Sequence, residues 1–183
     1  KIIYGESEHL SPASFNREIF QRTITVNALS KTYAMTGWRI GYAAGPSEII
    51  QACGKLQSQS TSNPASISQE AGVAALSSHE EEVEKMVVEF KKRRDYILSR
   101  LKRINRLKAY QPDGAFYIFP EVKEMASLGV KGSTELAMAI LDKVQVALVA
   151  GAPFGEDECL RISYAASMEN IAKGMDKLEG FFK

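Results

Sequence analysis

The sequence predicts an α/β fold over residues 1–78, followed by a small α+β region over residues 79–183. Two strand-like runs, residues 23–26 and 38–44, are followed by helical patterns, which is typical of an α/β arrangement. A long helical pattern from residue 78 and short alternating runs after residue 107 predict the second region. At 183 residues the chain is long enough for one large or two small domains.

The composition is that of an ordinary globular protein, with 45% hydrophobic residues, 25% charged residues and a net charge of +1. This charge balance predicts neither nucleic acid nor an anionic membrane as a partner, and no apolar run is long enough to span a membrane. Cys53 and Cys159 lie far apart in sequence, and neither has the spacing of a metal ligand. We therefore expect reduced, buried cysteines in a cytoplasmic protein.

The first region is organised around Lys31. The β-type run at residues 23–26 leads into a polar segment with Lys31, and a second run opens at Gly37 and closes at Gly45. This order predicts that Lys31 lies on a loop between two buried strands, with Arg39 at the start of the second. A lone loop lysine is ordinarily a solvated charge, although loops on a rigid sheet often carry chemistry.

Two helices are predicted between residues 46 and 77. The first begins at Pro46 and has an apolar face made by Ile49, Ile50, Cys53 and Leu56. Residues 57–64 then read as a polar loop, and a second helix follows over residues 64–77. The dense hydroxyl groups of that loop are compatible with phosphate binding and equally with an ordinary turn.

A long helix is predicted from the capping box Ser78-His79-Glu80-Glu81 to about Ile104. Apolar residues recur at positions 83, 87, 90, 97, 101 and 104, and Arg94 interrupts the spacing. The basic run at residues 91–94 is interpreted as a solvated helix face, because acidic residues precede it and no aromatic residues are interleaved.

Short strands and two further helices are predicted after residue 107. Strands at 108–110 and 115–119 are joined by the turn signal Pro112-Asp113-Gly114. Ser133 is expected to cap a helix that reaches Val144, and strands follow at 146–149 and 159–164. Ser167 should cap the last helix, with Ile171, Met175, Leu178 and Phe182 on one face. Within the strand at 159–164, Arg161 has two open interpretations, a strand-edge ion pair or a functional cation.

Residues 30–42 read Ser-Lys-Thr-Tyr-Ala-Met-Thr-Gly-Trp-Arg-Ile-Gly-Tyr. This run resembles the cofactor-lysine motif of fold-type I pyridoxal-phosphate-dependent aminotransferases of class I/II, in particular the aspartate aminotransferase branch. The resemblance continues at residues 112–117, Pro-Asp-Gly-Ala-Phe-Tyr, and 160–165, Leu-Arg-Ile-Ser-Tyr-Ala. It implies the C-terminal part of that fold: a remnant of the large three-layer α/β/α cofactor domain at residues 1–78, then the small α+β domain at 79–183.

The resemblance also implies roles for individual residues. Lys31 would form the Schiff base with the pyridoxal phosphate aldehyde and later transfer a proton, as a lysine amine can. Arg39 would bind the cofactor phosphate, and Ser30 would add a hydroxyl donor. Ala28 departs from the serine that many relatives carry, so one phosphate contact is expected to be missing. Arg161 matches the arginine that binds the substrate α-carboxylate.

The function that this resemblance implies is a transaminase that moves an amino group between an L-amino acid, with aspartate as a candidate, and a 2-oxo acid. A homodimer is expected. In the family, an Asp, a Tyr and a ring-stacking aromatic of the site lie upstream of Lys1. The chain itself is therefore expected to bind pyridoxal phosphate weakly or not at all and to be inactive.

Two other function classes compete with this interpretation. Ser-Lys-Thr at residues 30–32 resembles the end of a phosphate-binding P-loop, but that loop needs glycines before its lysine, and residues 27–30 are Asn-Ala-Leu-Ser. The other is a non-catalytic aminotransferase-like module for ligand sensing or assembly, which the sequence leaves open.

Overall fold

The computed structural model describes residues 1–78 and 80–183, and it divides into two compact units. The first unit comprises Lys1 and residues 6–85, and the second comprises residues 2–5 and 86–183. The two units meet between residues 85 and 86, within one long helix. The predicted domain boundary lies seven residues earlier, between residues 78 and 79, and it stays a prediction. The capping box proposed at Ser78 and His79 lies outside the described side chains.

The described residues of the first unit are mostly helical and include one strand pair. Its elements are helix α1 (Arg17–Arg22), strand β1 (Thr25–Ala28), helix α2 (Leu29–Thr32), strand β2 (Gly41–Ala44), helix α3 (Ser47–Ser60), helix α4 (Ser66–Ser78) and the start of helix α5 (Glu80–Leu101). Asn16 caps α1, since its side-chain oxygen accepts a 2.9 Å hydrogen bond from the backbone N–H of Ile19.

Strands β1 and β2 form an antiparallel ribbon in which Ala28 lies opposite Gly41. A side chain at Gly41 would place its Cβ only 2.5 Å from the carbonyl oxygen of Asn27, so the close pairing requires glycine. The prediction that these strands are buried is wrong, because Val26 is 77% exposed. The small core of this unit lies elsewhere, around Leu29, Met35 and Ala75.

Helix α3 begins close to the predicted position but runs further than expected. Residues 57–60 were predicted to be a polar loop, yet they continue the helix to Ser60, and the backbone N–H of Thr61 still bonds the carbonyl of Gln57 at 2.9 Å. The polar side chains therefore lie on a solvated helix face.

Cys53 of this helix is exposed and Cys159 is half-buried, so the expectation of buried cysteines fails for Cys53, and both thiols are free.

The second unit has two small antiparallel sheets with helices. Its further elements are strands β3 (Leu107–Lys108), β4 (Tyr117–Ile118) and β5 (Glu121–Val122), helix α6 (Ser133–Val144), strands β6 (Val149–Ala150) and β7 (Leu160–Ser163) and helix α7 (Met168–Phe181). Strands β4, β7 and β6 form one sheet in that order, and β3 pairs with β5. The strands on either side of residues 112–114 are therefore not partners. That turn instead contacts the N-terminal residues, since the backbone N–H of Tyr4 donates to Asp113 at 2.8 Å.

The core of the second unit lies between the β4–β7–β6 sheet and the helices. Alternate residues of β7, Leu160 and Ile162, are buried, as is Ile118 on the neighbouring strand. The helices contribute the buried residues Ile97, Leu101, Leu136, Ile140, Ile171, Met175, Leu178 and Phe182. The predicted apolar face of α7 is thereby confirmed, and so is its cap, because the Ser167 hydroxyl accepts from the backbone N–H of Asn170.

Arg94 is buried, although its position interrupts the apolar spacing of α5. Its side chain is only 4% exposed. The guanidinium donates to the Pro112 carbonyl at 2.9 Å and to Asp95, and its carbon lies 4.6 Å from the ring centroid of Tyr4. The interpretation of residues 91–94 as a solvated face is therefore wrong for Arg94. It holds for Lys91, which pairs with Asp95 on the surface.

Arg100 links α5 to α7. Its guanidinium donates to Glu179 and Asp176 at 2.6 Å each and to the Tyr96 hydroxyl at 2.7 Å. Arg100 is itself buried, and the hydrogen bond that it donates lowers the pKa of Glu179. One buried cation thus carries polar contacts to two helix turns of α7.

No helix among residues 1–78 and 80–183 has the length and apolar character required to cross a bilayer.

Replacing Arg100 should destabilise the second unit. Arg100→Ala removes all three contacts, and we expect the free energy of unfolding to fall by about 1–3 kcal/mol, discounted because the acidic partners are partly exposed. Urea unfolding monitored by circular dichroism measures the change. Lys173→Ala is the matched control, since its pair with Glu169 on α7 is exposed and such pairs contribute about 0–1 kcal/mol. Equal losses in the two variants would contradict the structural role of Arg100.

Candidate functional site

Lys31 lies on the short helix α2, directly after β1, and not on a loop as predicted. Leu29, two residues earlier, is buried beside α4, where a Cβ at Gly72 would come within 3.2 Å of the Leu29 side chain. Burial of Leu29 anchors the helical turn, and Lys31 is exposed while Ser30 is half-buried. The packing of Leu29 against α4 therefore fixes the helical turn that carries the exposed Lys31.

Arg39 follows a 3-10 turn at Thr36–Trp38 and has a left-handed backbone, with φ of 52°. Its Nη1 donates a 2.9 Å hydrogen bond to the Thr36 carbonyl, and the side chain is exposed. Ala34 has a φ of 54°. Two non-glycine residues in this conformation within six positions represent a backbone cost of about 1–2 kcal/mol each. Such strain is concentrated at functional sites.

Lys31, Ser30 and Arg39 lie on one ten-residue segment of the first unit. Chemically, this donor set fits pyridoxal phosphate, since an amine can condense with its aldehyde and a guanidinium matches its phosphate oxygens. Across the described residues, no group of three or more His, Cys, Asp or Glu side chains could hold a metal ion. Of the two histidines, His9 is exposed and His79 lies outside the described residues.

Arg161 belongs to the second unit, at the centre of β7. Since Leu160 and Ile162 turn into the core, Arg161 and Ser163 lie on the other face of the sheet. Its guanidinium carbon lies 4.9 Å from the ring centroid of Phe154 and 5.4 Å from that of Tyr117. Among the described residues, no carboxylate lies within ion-pair distance of Arg161. The strand-edge ion pair is therefore not formed within the described chain.

Neither aromatic partner of Arg161 is among the site residues predicted from the sequence. Tyr117 pairs with Ser163 across the β4–β7 ladder, so it is a diagonal neighbour of Arg161 on the same face. The alternation of β7 and β4 could have indicated this contact. Phe154 lies between the strands predicted at residues 146–149 and 159–164, and no local pattern points from it to Arg161.

The turn that carries Phe154, at Ala152–Phe154, lies between two glycines. Gly151 has no room for a Cβ beside the carbonyls of Glu156 and Cys159, and Gly155 has a φ of 87°. The turn is tethered to α6, because the backbone N–H of Ala152 donates a 3.0 Å hydrogen bond to the Ser133 hydroxyl. That hydroxyl in turn donates to Asp157 at 2.6 Å.

The prediction that Ser133 caps α6 is wrong. The cap position is Gly132, and Ser133 is the first residue of the helix. Ser133 is fully buried, and both its backbone N–H and its hydroxyl donate to Asp157. These two hydrogen bonds lower the pKa of the Asp157 carboxyl below its usual value.

The two later segments of the motif are joined by a pair of tyrosines. The hydroxyls of Tyr4 and Tyr164 both donate to the Ala115 carbonyl, and they lie 3.2 Å apart. The backbone N–H of Tyr164 donates to the Phe116 carbonyl at 2.9 Å. Burial raises the pKa of Tyr164, which keeps it a neutral donor. These bonds set the register between residues 115–117 and the strand of Arg161.

Comparison with known proteins gives consistent matches along the chain. The family model described as Aminotransferase class I and II matches residues 2–178. Aspartate aminotransferase from Pinus pinaster is 46% identical over 97% of this chain and 38% of its own length. That from Geobacillus stearothermophilus is 41% identical over 100% of this chain and 47% of its own length. The chain thus spans less than half of these relatives.

Solved structures show the same fold. The crystal structure of the aspartate aminotransferase from Rhizobium meliloti matches with a TM-score of 0.91 and 38% identity over 98% of this chain and 46% of that one. The aromatic aminotransferase from Pyrococcus horikoshii OT3 matches with a TM-score of 0.89 and 38% identity. The mixed α/β structure is therefore part of a pyridoxal-phosphate-dependent transferase fold, as the sequence predicted.

Removal of the Ser133 hydroxyl should raise the pKa of Asp157. The pKa is lower in the folded than in the unfolded chain, so these hydrogen bonds stabilise the fold above the unfolded pKa of about 3.9. That stabilisation is lost as the pH falls through the folded pKa. In Ser133→Ala, carboxyl 13C NMR should show Asp157 titrating closer to its ordinary value, and acid should destabilise the variant less. Ser127→Ala, which removes an exposed hydroxyl, is the control. An unchanged Asp157 titration in Ser133→Ala would contradict the assigned cause.

Proposed function

The chain belongs to the class I and II aminotransferase family, whose cofactor is pyridoxal phosphate, and on that premise we propose that the complete protein is a transaminase. It moves an amino group between an L-amino acid and a 2-oxo acid. Support comes from the match to the family over residues 2–178 and from the donor set on the segment of Lys31.

The proposed substrate class rests on the surroundings of Arg161. Arg161 is half-buried as a residue, and its guanidinium contacts two aromatic rings and has no carboxylate partner among the described residues. A partly desolvated guanidinium without a counter-ion favours an anionic ligand, and its planar N–H groups match a carboxylate in two parallel hydrogen bonds. An α-carboxylate, which amino acids and 2-oxo acids share, is the ligand that we assign to it.

The residues of the first unit bind the cofactor and handle the proton. When bound, pyridoxal phosphate supplies an electron sink for the substrate carbon. Lys31 would hold the cofactor covalently through Nζ, and the same amine, once released, would accept the substrate α-proton and deliver it to the cofactor. Arg39 would hold the phosphate, to which Ser30 would contribute a hydroxyl donor. The bent backbone at Ala34 and Arg39 positions the guanidinium relative to the helical turn of Lys31.

Aspartate is the amino acid that we propose as substrate. Support comes from the names of the relatives from Pinus pinaster and Geobacillus stearothermophilus, both aspartate aminotransferases. The relative from Streptococcus mutans is named an asparagine–oxo-acid transaminase, so asparagine is the second substrate to be screened. The homodimer, the cytoplasmic location and the weak cofactor binding of the 183-residue chain alone stay predictions.

Covalent labelling tests the role of Lys31. Borohydride treatment of the full-length protein with pyridoxal phosphate should fix the cofactor to Lys31, since that amine is the proposed attachment point. Peptide mass mapping locates the label. Lys31→Ala should lose both label and transamination, whereas Lys55→Ala, which removes an exposed lysine on α3, should keep both. A label on a different lysine would show that the central assignment is wrong.

Kinetics test the role of Arg161. In the full-length protein, Arg161→Ala should raise KM strongly for L-aspartate and for the 2-oxo acid substrate, because a charge-assisted bidentate contact costs about 2–5 kcal/mol to lose. The absorbance of the bound cofactor should stay unchanged. Arg106→Ala is the matched control, since this arginine hydrogen-bonds Ser127 and lies 3.8 Å from Glu124 at the surface. Unchanged KM and kcat in Arg161→Ala for every accepted substrate would refute the assignment.

A further inference from the structure

We propose that Phe154 is a positioning residue for substrate binding, and that with Tyr117 it holds the Arg161 guanidinium in the orientation that receives the carboxylate. The inference deepens the proposed function and rests on the role of Arg161 given there. The cation of Arg161 has two aromatic rings within 6 Å and, in the described chain, no acidic partner.

Tyr117 is held by the sheet itself. The β4–β7 register places it opposite Ser163, so its ring can reach Arg161 only along the diagonal of the same face. The ring of Phe116 lies 6.0 Å away at 88°, an edge-to-face arrangement that restricts the tyrosine further. The position of one aromatic contact to Arg161 thus follows from strand pairing.

Phe154 is held by the backbone of its turn and not by burial. It is 51% exposed, and an exposed phenylalanine would ordinarily be mobile. Here the two flanking glycines and the tether from Ala152 to the buried Ser133 restrict the backbone. The ring centroid of Phe119 lies 6.0 Å from that of Phe154, and the two rings are at 86° in an edge-to-face arrangement. These restraints on Phe154 do not contribute to the hydrophobic core, because Phe154 is outside the buried cluster.

The contacts leave the donors of Arg161 available. An aromatic ring attracts a guanidinium through its π-face, and it takes up none of the planar N–H groups. A carboxylate partner would instead neutralise the cation and occupy those donors. Aromatic contacts therefore restrict the guanidinium before a ligand arrives, which lowers the conformational entropy lost on binding. We infer that the rings keep Arg161 ordered and still able to bind an anion.

The test uses the full-length protein loaded with pyridoxal phosphate and two probes. Succinate has carboxylates and no amine, so calorimetry measures its Kd without turnover, and L-aspartate gives KM and kcat. Phe154→Leu should raise the succinate Kd and the aspartate KM about three- to tenfold, the range expected for one cation–π contact. Its kcat and cofactor absorbance should be nearly unchanged. Phe154→Tyr, which keeps a π-face, should restore both constants to within about twofold.

Two comparisons separate positioning from a general structural effect. Tyr110→Leu removes another exposed ring that contacts a cation, Lys108 at 5.1 Å, and it should leave the succinate Kd unchanged. In the Arg161→Ala background, Phe154→Leu should have no further effect on Kd, because its effect is exerted through the guanidinium.

Each other outcome is decisive. If Arg161→Ala weakens succinate binding and Phe154→Leu does not, the positioning role is overturned while the proposed function stands. If Phe154→Leu weakens binding equally with and without Arg161, Phe154 does not act through the guanidinium. If Arg161→Ala itself leaves the succinate Kd and aspartate KM unchanged, the carboxylate role and the positioning role are overturned together.

Discussion

The alternation of strand β7 is the constraint on which the second unit depends. Burial of Leu160 and Ile162 in the core leaves no choice for the residue between them, so Arg161 must lie on the opposite face. The register of β4 on β7 is set from the same strand, and it brings Tyr117 to that face. A slip of one residue would bury the cation and expose both aliphatic side chains.

Residues outside the β4–β7–β6 sheet also fix the positions of the groups around Arg161. The Ser133 hydroxyl at the start of α6 links the turn of Phe154 to Asp157, and the glycines at 151 and 155 allow the tight turn. Tyr164, which directly follows β7, donates a hydrogen bond to the carbonyl of Ala115. Buried polar groups in this unit are thus used to connect segments distant in sequence. Such networks specify one arrangement when every member has a partner.

The first unit is organised differently. Its core around Leu29, Met35 and Ala75 is small, and most of its large apolar side chains are exposed, among them Val26, Leu56 and Ile67. Packing beneath Leu29 nevertheless sets the turn that displays Lys31. The strand pair β1–β2 contributes little burial. The shape of this segment is instead defined by helix α2, which Leu29 anchors, and by the left-handed residues Ala34 and Arg39 that follow it. Local geometry therefore determines the placement of Lys31 and Arg39.

The sequence by itself determined the α/β class, the helices α3 to α7 to within a few residues, and the strand that contains Arg161. Each of these depends on local periodicity, capping residues or a long motif, which are properties of neighbouring residues. Only the tertiary structure decided that Lys31 lies on a helical turn, that Ser133 binds Asp157, that Arg94 is buried and that Phe154 contacts Arg161. Those outcomes depend on contacts between residues remote in sequence, since the energy of burying a cation or hydroxyl is set by whichever partners packing brings to it.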